Sequence, residues 1–230
     1  MSIDRHDRVM EIGVYYALAS SRAPLPDGRS VQLTIVDLGE LHVESGLLGA
    51  CDPYVNLDAP VVVPVPSGHY PVRATMADLS EAQDGSLVRP AYLSLVLSES
   101  EGASIEPAST SDGPPDPGRY WGIEVDAGTV AFVDAEAATR CMPGNRSDWR
   151  SEIFDSGKPD SWFEQANSDG PLPVGTANIV LPLATRGENL ILARAGYGDD
   201  GFYALDRTLA ADGTVTGIHI DFLVVGLPED

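Results

Sequence analysis

A β-rich α+β fold is predicted by three features of the sequence. The 23 glycines and 18 prolines lie between short apolar runs, a spacing typical of strands joined by tight turns. Several runs alternate apolar and polar residues, and capped helical patterns occur only between 134 and 168. We therefore expect antiparallel sheets, as a sandwich or one strongly bent sheet, with two or three short helices between 134 and 168.

The first third of the chain begins with a stretch of undecided structure. Residues 9–19 fit both a helical and a strand period, so their element is left open. VQLTIVDLG at 31–39 alternates and predicts a half-buried strand. Next, LHVESGLLGACDP at 41–53 places two short strands around Gly46, which predicts a hairpin.

The following segment contains the predicted centre of a sheet. Residues 60–66 hold too many prolines for a central strand and are expected at an edge or crossing. A strand is expected from His69 to Met76, and the dense apolar run 91–97 predicts a central strand. Residues 100–118 are rich in Ser, Pro, Gly and acid, so we expect a flexible acidic loop inserted in a single domain, 1–230.

The second half mixes a hairpin, short helices and four more strands. IEVDAGTVAFVDA at 123–135 predicts another hairpin, with Asp134 capping a helix after it. Helices are expected at 146–154, capped by Ser147 or Asp148, and at 159–167, capped by Asp160 or Ser161. The remaining expected strands are 177–184, 189–196, 201–209 and 215–225.

The two predicted hairpins contain the same sequence pattern 82 residues apart, at 41–53 and 123–135. We call each copy a phrase. Each copy has an acid, a small residue, a glycine and a closing aspartate. One interpretation is a duplication presenting Glu44, Asp52, Asp126 and Asp134, which could bind a divalent cation if the copies faced each other. The other, simpler interpretation is that two unrelated hairpins have similar residues because the same turn conformation requires them.

A second group of acids lies near the C-terminal strands. Asp199 and Asp200 precede Gly201, which is typical of a solvated turn but also of a cation site or paired hydrolytic carboxylates. Asp221 lies between two apolar strand residues, so we expect it to need a partner such as Arg73 or Arg89.

The charge balance restricts the classes of partner. A net charge of −21 disfavours contact with nucleic acid phosphates and with anionic membranes. It suits a basic protein partner, or solubility combined with the codon usage of a GC-rich genome, because one lysine stands against 13 arginines. A carboxylate ridge that mimics DNA is a third interpretation.

Four stretches in order along the chain resemble the family called domain of unknown function 4241 (DUF4241). They are SGLLGACDP, VPSGHYPVRATMA, WGIEVDAGTVAFVDAEA, and GYGDDGFYALD followed by GTVTGIHIDF. The sequence departs from the family pattern near 196–201 and in the loop 100–118. The resemblance implies a fold but transfers no activity and no catalytic residue.

No nucleophile elbow, phosphate loop or metal motif is present in the sequence. The N-terminal run VMEIGVYYALA is interrupted by Glu11, so no secretion signal is expected. Cys51 and Cys141 leave a single disulfide open. We expect a cytoplasmic, non-catalytic binding or regulatory module without cofactor or metal, of open oligomeric state and with a possible immunity-type role. The alternative is a hydrolase that uses clustered carboxylates, with or without a divalent cation.

Overall fold

Two antiparallel sheets and a layer of short helices form the protein, a β-rich α+β fold as predicted. The computed structural model describes residues 2–4, 11–25, 27–198 and 200–226. The strands are β1 (Ser2–Asp4), β2 (Arg22–Pro24), β3 (Ser30–Val43), β4 (Leu47–Cys51), β5 (Val61–Pro64), β6 (Gly68–Asp78), β7 (Val88–Val96), β8 (Ser104–Pro107), β9 (Arg119–Val125), β10 (Thr129–Asp134), β11 (Thr176–Val180), β12 (Asn189–Arg194), β13 (Gly201–Leu209) and β14 (Val215–Asp221). The helical segments are 3-10 turns at Ile12–Val14 and Arg146–Asp148, a π-helical turn at Arg150–Phe154, α1 (Ala137–Arg140) and α2 (Trp162–Asn167).

The strands divide into a large and a small sheet. The large sheet runs β1-β9-β13-β14-β7-β6-β3-β2, with β8 also paired to β13. The small sheet runs β11-β12-β10-β4-β5. One sheet is strongly curled, in the shape of a half-barrel. The predicted central strand, β7, lies in the middle of the large sheet, and the proline-rich β5 lies at an edge of the small one, as expected.

The small sheet is buried on both faces, which divides the interior into two cores. Along β10, Val130 and Phe132 face the large sheet, whereas Ala131 and Val133 face the helical layer. Alternate side chains of a strand point to opposite faces, so one strand serves both cores. The sequence gives β10 an almost continuous apolar run for this reason.

Both predicted hairpins are wrong, although their glycines have the expected conformation. Gly46 and Gly128 have φ of +74° and +64°, which residues with a Cβ adopt at a cost. The strands that flank each glycine nevertheless belong to different sheets, because β3 pairs with β6 while β4 pairs with β10 and β5. Each phrase is therefore a corner where the chain passes from the large sheet to the small one.

The chain follows the same path twice. In the first half it runs from β3 through a corner to β4, then to β5, β6 and β7. In the second half it runs from β9 through a corner to β10, then to β12, β13 and β14, with the helices and β11 inserted after β10. Each path makes the same pairings, so the two halves are related by an approximate two-fold axis.

The strand registers locate this axis. Ala50 and Phe132 occupy the same position in the two phrases and pair directly across β4 and β10. In the large sheet, Ser94 and His219 are equivalent positions and pair across β7 and β14. The repeated order of the strands is the topology that duplication of one unit produces, which favours the duplication interpretation of the phrase.

The local predictions have mixed outcomes. The expected loop 100–118 contains β8, which pairs with β13 and buries Ile105. Ser161 caps α2 by accepting from the Glu164 N–H, as expected, whereas neither Ser147 nor Asp148 caps the π-helical turn. Residues 9 and 10 of the undecided stretch 9–19 lie outside the described residues, and the rest of it contains the 3-10 turn Ile12–Val14.

The two cysteines are free and buried, so the structure contains no bridge between them. Burial raises the pKa of the Cys51 thiol, which keeps it protonated and unreactive. None of the helices in the described part of the chain has the length and apolarity that crossing a membrane requires.

A buried polar network surrounds the axis in the large sheet. His219 is 1% exposed; its Nδ1 lies 2.9 Å from the Ser94 hydroxyl and its Nε2 lies 2.9 Å from that of Thr208. Thr208 in turn bonds to Thr216 at 2.7 Å. Burial lowers the pKa of His219 to about 3, because the charged imidazolium would lose its hydration.

We expect the pH dependence of stability to report this network. The folded pKa of His219 lies below its unfolded value, so His219 costs nothing above about pH 6.5. Below that pH it should reduce the unfolding free energy by about 1.4 kcal/mol per pH unit. Urea unfolding between pH 7 and 4.5 should show a shallower decline for H219Q than for the wild type. Parallel wild-type and H219Q curves would contradict the assignment.

Candidate functional site

The closing aspartate of the first phrase holds the corner of the second. Asp52 is fully buried, and its Oδ2 accepts hydrogen bonds from the N–H groups of Asp126 at 3.0 Å and Ala127 at 2.7 Å. Its Oδ1 accepts from the Tyr54 N–H at 3.0 Å. Three backbone donors thus satisfy this buried carboxylate.

The closing aspartate of the second phrase makes the equivalent bond to the corner of the first phrase. Asp134 Oδ2 accepts from the Ser45 N–H at 2.7 Å, and Ser45 is the phrase equivalent of Ala127. The Oδ1 atom accepts from the N–H groups of Glu136 and Ala137, both at 2.9 Å. Asp134 therefore caps α1, as the sequence predicts, and also fixes the opposite corner.

The four phrase carboxylates lie at two separate corners, Asp52 with Asp126 at one and Glu44 with Asp134 at the other. Asp52 follows the pairing of Cys51 with Ala131, which places it opposite Val130, four residues from Asp134. That separation is roughly 13 Å along the strand. The two copies run side by side in opposite directions, so their carboxylates lie at opposite ends of β10. Among the described residues, no group of three or more His, Cys, Asp or Glu is arranged to hold a metal ion.

Two further acids of the candidate set, Glu44 and Asp200, are exposed. Glu44 Oε1 is 2.9 Å from Nε2 of His69, whose ring stacks on that of His42 with centroids 4.0 Å apart. Asp200 is exposed immediately before β13. Asp199 lies outside the described residues.

Asp221 ends β14 and is 7% exposed. Its Oδ1 accepts from the Leu223 N–H at 2.9 Å, which is a local turn bond. Arg73, one of the expected partners, forms an ion pair with Glu99 at 2.6 Å. Asp221 thus has a local structural contact.

A cavity of about 450 Å³ lies at the corner of the second phrase. The corner forms one wall, the segment after β4 another, and the turn after β12 a third; the helices inserted after β10 close the remaining side. Gly128 is required here, because a Cβ would lie 2.5 Å from the carbonyl oxygen of Gly198. The lining residues used below are Tyr54, Asp126, Thr129, Arg150, Asp155, Phe163, Asn167, Arg194 and Tyr197.

Four charged side chains face this cavity. Arg150, Asp126 and Asp155 are exposed, and Arg194 is half-buried. In the described structure no two of the four form an ion pair with each other. Arg194 is held in place by a hydrogen bond of 2.6 Å from its Nη2 to Oδ1 of Asn167.

Hydroxyl groups and aromatic rings complete the lining. The hydroxyls of Tyr54 and Thr129 are buried and have no hydrogen-bond partner among the described residues. Burial, reinforced by the Asp52 and Asp155 charges, raises the pKa of Tyr54, so its phenol remains a donor. Phe163 and Tyr197 are 45% and 56% exposed, an unusual exposure for large aromatic residues.

Of the candidate site residues that the structure describes, only Asp126 lines the cavity. Sequence reasoning missed Arg150 and Arg194, which come from segments 44 residues apart in the chain and meet only through the fold. One signal was available: cationic residues are scarce, with one lysine and 13 arginines. Because arginine suits carboxylate and phosphate recognition, each of the few cationic residues of such a chain is a candidate for ligand contact.

A comparison with family models matches residues 41–220 to DUF4241, described as a protein of unknown function. The chain belongs to this family. The DUF4241 match begins near the end of β3, runs almost to the end of β14 and includes both phrases. No curated protein and no solved structure matches the chain.

We expect the buried aspartates to be essential for stability and the exposed acids of the same phrases to be dispensable. D52A and D134A each leave three backbone N–H groups without their acceptor and should lower the unfolding free energy by about 2–4 kcal/mol. The matched controls E44A and D126A should change it by less than about 1 kcal/mol. Urea unfolding measures all four; equal losses in the two groups would contradict the capping role.

Proposed function

We propose that the protein is a non-catalytic binding module that uses exposed carboxylates to meet a basic protein partner. Complementary charge steers such encounters and excludes partners of like charge. Neutralisation of a basic toxin, an immunity-type role, is one form that this function would take. The cytoplasm is the proposed location.

The observation that carries the proposal is the imbalance of exposed charge. Among the described residues, twenty acidic side chains are exposed, against seven basic ones. Three of the seven already have acidic neighbours, since Arg29 pairs with Asp27, Arg140 with Glu188 and Arg146 with Asp58. Most exposed carboxylates thus remain available to a cationic surface.

The use of the buried carboxylates also favours binding over hydrolysis. Asp52 and Asp134, two of the four aspartates that the hydrolase hypothesis would bring together, accept backbone N–H groups at both carboxylate oxygens. A general acid or base needs a site from which it can exchange a proton with a substrate. Because both are buried and bonded to backbone N–H groups, we infer that their role is to hold the backbone.

A salt-dependent pull-down tests the proposal. We expect the immobilised protein to retain a basic partner at low salt and to release most of it at moderate salt, because screening weakens surface charge pairs. Failure to retain any basic protein at low salt would contradict the proposal.

A neutralised variant distinguishes specific charge contact from other adhesion. We expect it to retain the partner at least tenfold less while its melting temperature stays within about 2 °C. It replaces exposed acids that have no side-chain partner among the described residues: E81Q, E101Q, D112N, E124Q, E152Q and D169N. The control K158Q/R186Q should retain the partner as the wild type does; equal retention by the neutralised variant would contradict the proposal.

A further inference from the structure

We propose that the cavity at the corner of the second phrase binds a zwitterionic small molecule, namely an amino acid with an aromatic side chain. This inference goes beyond the proposed protein partner and does not depend on it. The cavity volume of about 450 Å³ lies within the range of small-molecule sites, roughly 300–1,000 Å³.

The charges of the cavity point to a ligand that carries both signs. Arg150 and Arg194 face the same space as Asp126 and Asp155, yet they make no ion pairs with them. Because the four charges sum to zero, a ligand of zero net charge is favoured. Its carboxylate would bind to the guanidinium groups, and its ammonium group would bind to the aspartates.

The rest of the lining suits an aromatic body. Phe163 and Tyr197 expose rings at the cavity, and Tyr54 contributes a third aromatic side chain. Such rings pack against a planar group in offset or edge-to-face contact. The unpaired hydroxyls of Tyr54 and Thr129 offer further hydrogen bonds if ligand entry moves either side chain.

The cavity lies where the two halves of the two-fold arrangement differ. In the first half, β4 and β5 are joined by the short segment 52–60, whereas the second half inserts 135–188 between β10 and β12. The inserted residues supply Arg150, Asp155 and Phe163 to the wall. Asp52 holds the Asp126 and Ala127 N–H groups, so the corner offers a fixed surface to a ligand.

Melting temperature and calorimetric titration with L-phenylalanine, L-tyrosine and L-tryptophan test the site. We expect at least one of the three, at 100 times its dissociation constant, to raise the melting temperature by about 5 °C or more. Phenylacetate, which has only the carboxylate, and phenethylamine, which has only the amine, should each bind at least tenfold more weakly.

Substitutions of the two cavity arginines test whether their charges bind the ligand. R150A should fold normally, because the Arg150 side chain has no partner among the described residues, and should weaken binding at least tenfold. R194A should weaken binding by a similar factor and also lower stability, because Arg194 bonds to Asn167. The control R186A, an exposed arginine outside the cavity, should bind as the wild type does. Binding by none of the three amino acids, unchanged binding by R150A, or equal binding of phenylacetate would each overturn the proposal.

Discussion

The reciprocal bonds of Asp52 and Asp134 hold the two sheets in their arrangement. Each aspartate ends one central strand of the small sheet and accepts N–H groups from the corner that leads into the other strand. Buried carboxylates are tolerated only when donors satisfy them, and tight corners leave backbone donors unpaired. The same contact therefore satisfies the buried carboxylate and the backbone donors of the corner together. It occurs twice, once on each side of the two-fold axis.

The symmetric framework explains where asymmetry can be added. The paired strands near the axis, β4 with β10 and β7 with β14, carry the core, and their connections lie outside it. A long insertion after β10 leaves those pairings intact and builds a second core against the outer face of the small sheet. The cavity arises where the insertion meets a corner that Asp52 already holds rigid, so stability and the proposed ligand site share one residue.

Sequence patterns predicted the strands well because their signal is local. Alternation identified β3, a strand was expected where β6 lies, and the apolar run at 91–97 identified β7 as central. The repeated phrase correctly marked glycines with positive φ, but a turn glycine does not specify whether the strands around it pair with each other. Pairing partners depend on contacts distant in sequence, which is why both corners were taken for hairpins. The cavity was missed for the same reason, since Arg150 and Arg194 approach it from separate elements.

Amide hydrogen exchange at the two corners tests the reciprocal capping most directly. Turn amides exposed to solvent exchange rapidly, whereas amides bonded to a buried carboxylate exchange only when the structure opens. The N–H groups of Ser45 and Ala127 should therefore exchange as slowly as those of the paired strands β4 and β10. Exchange of either amide at the rate of a free turn, in an otherwise protected protein, would contradict the account.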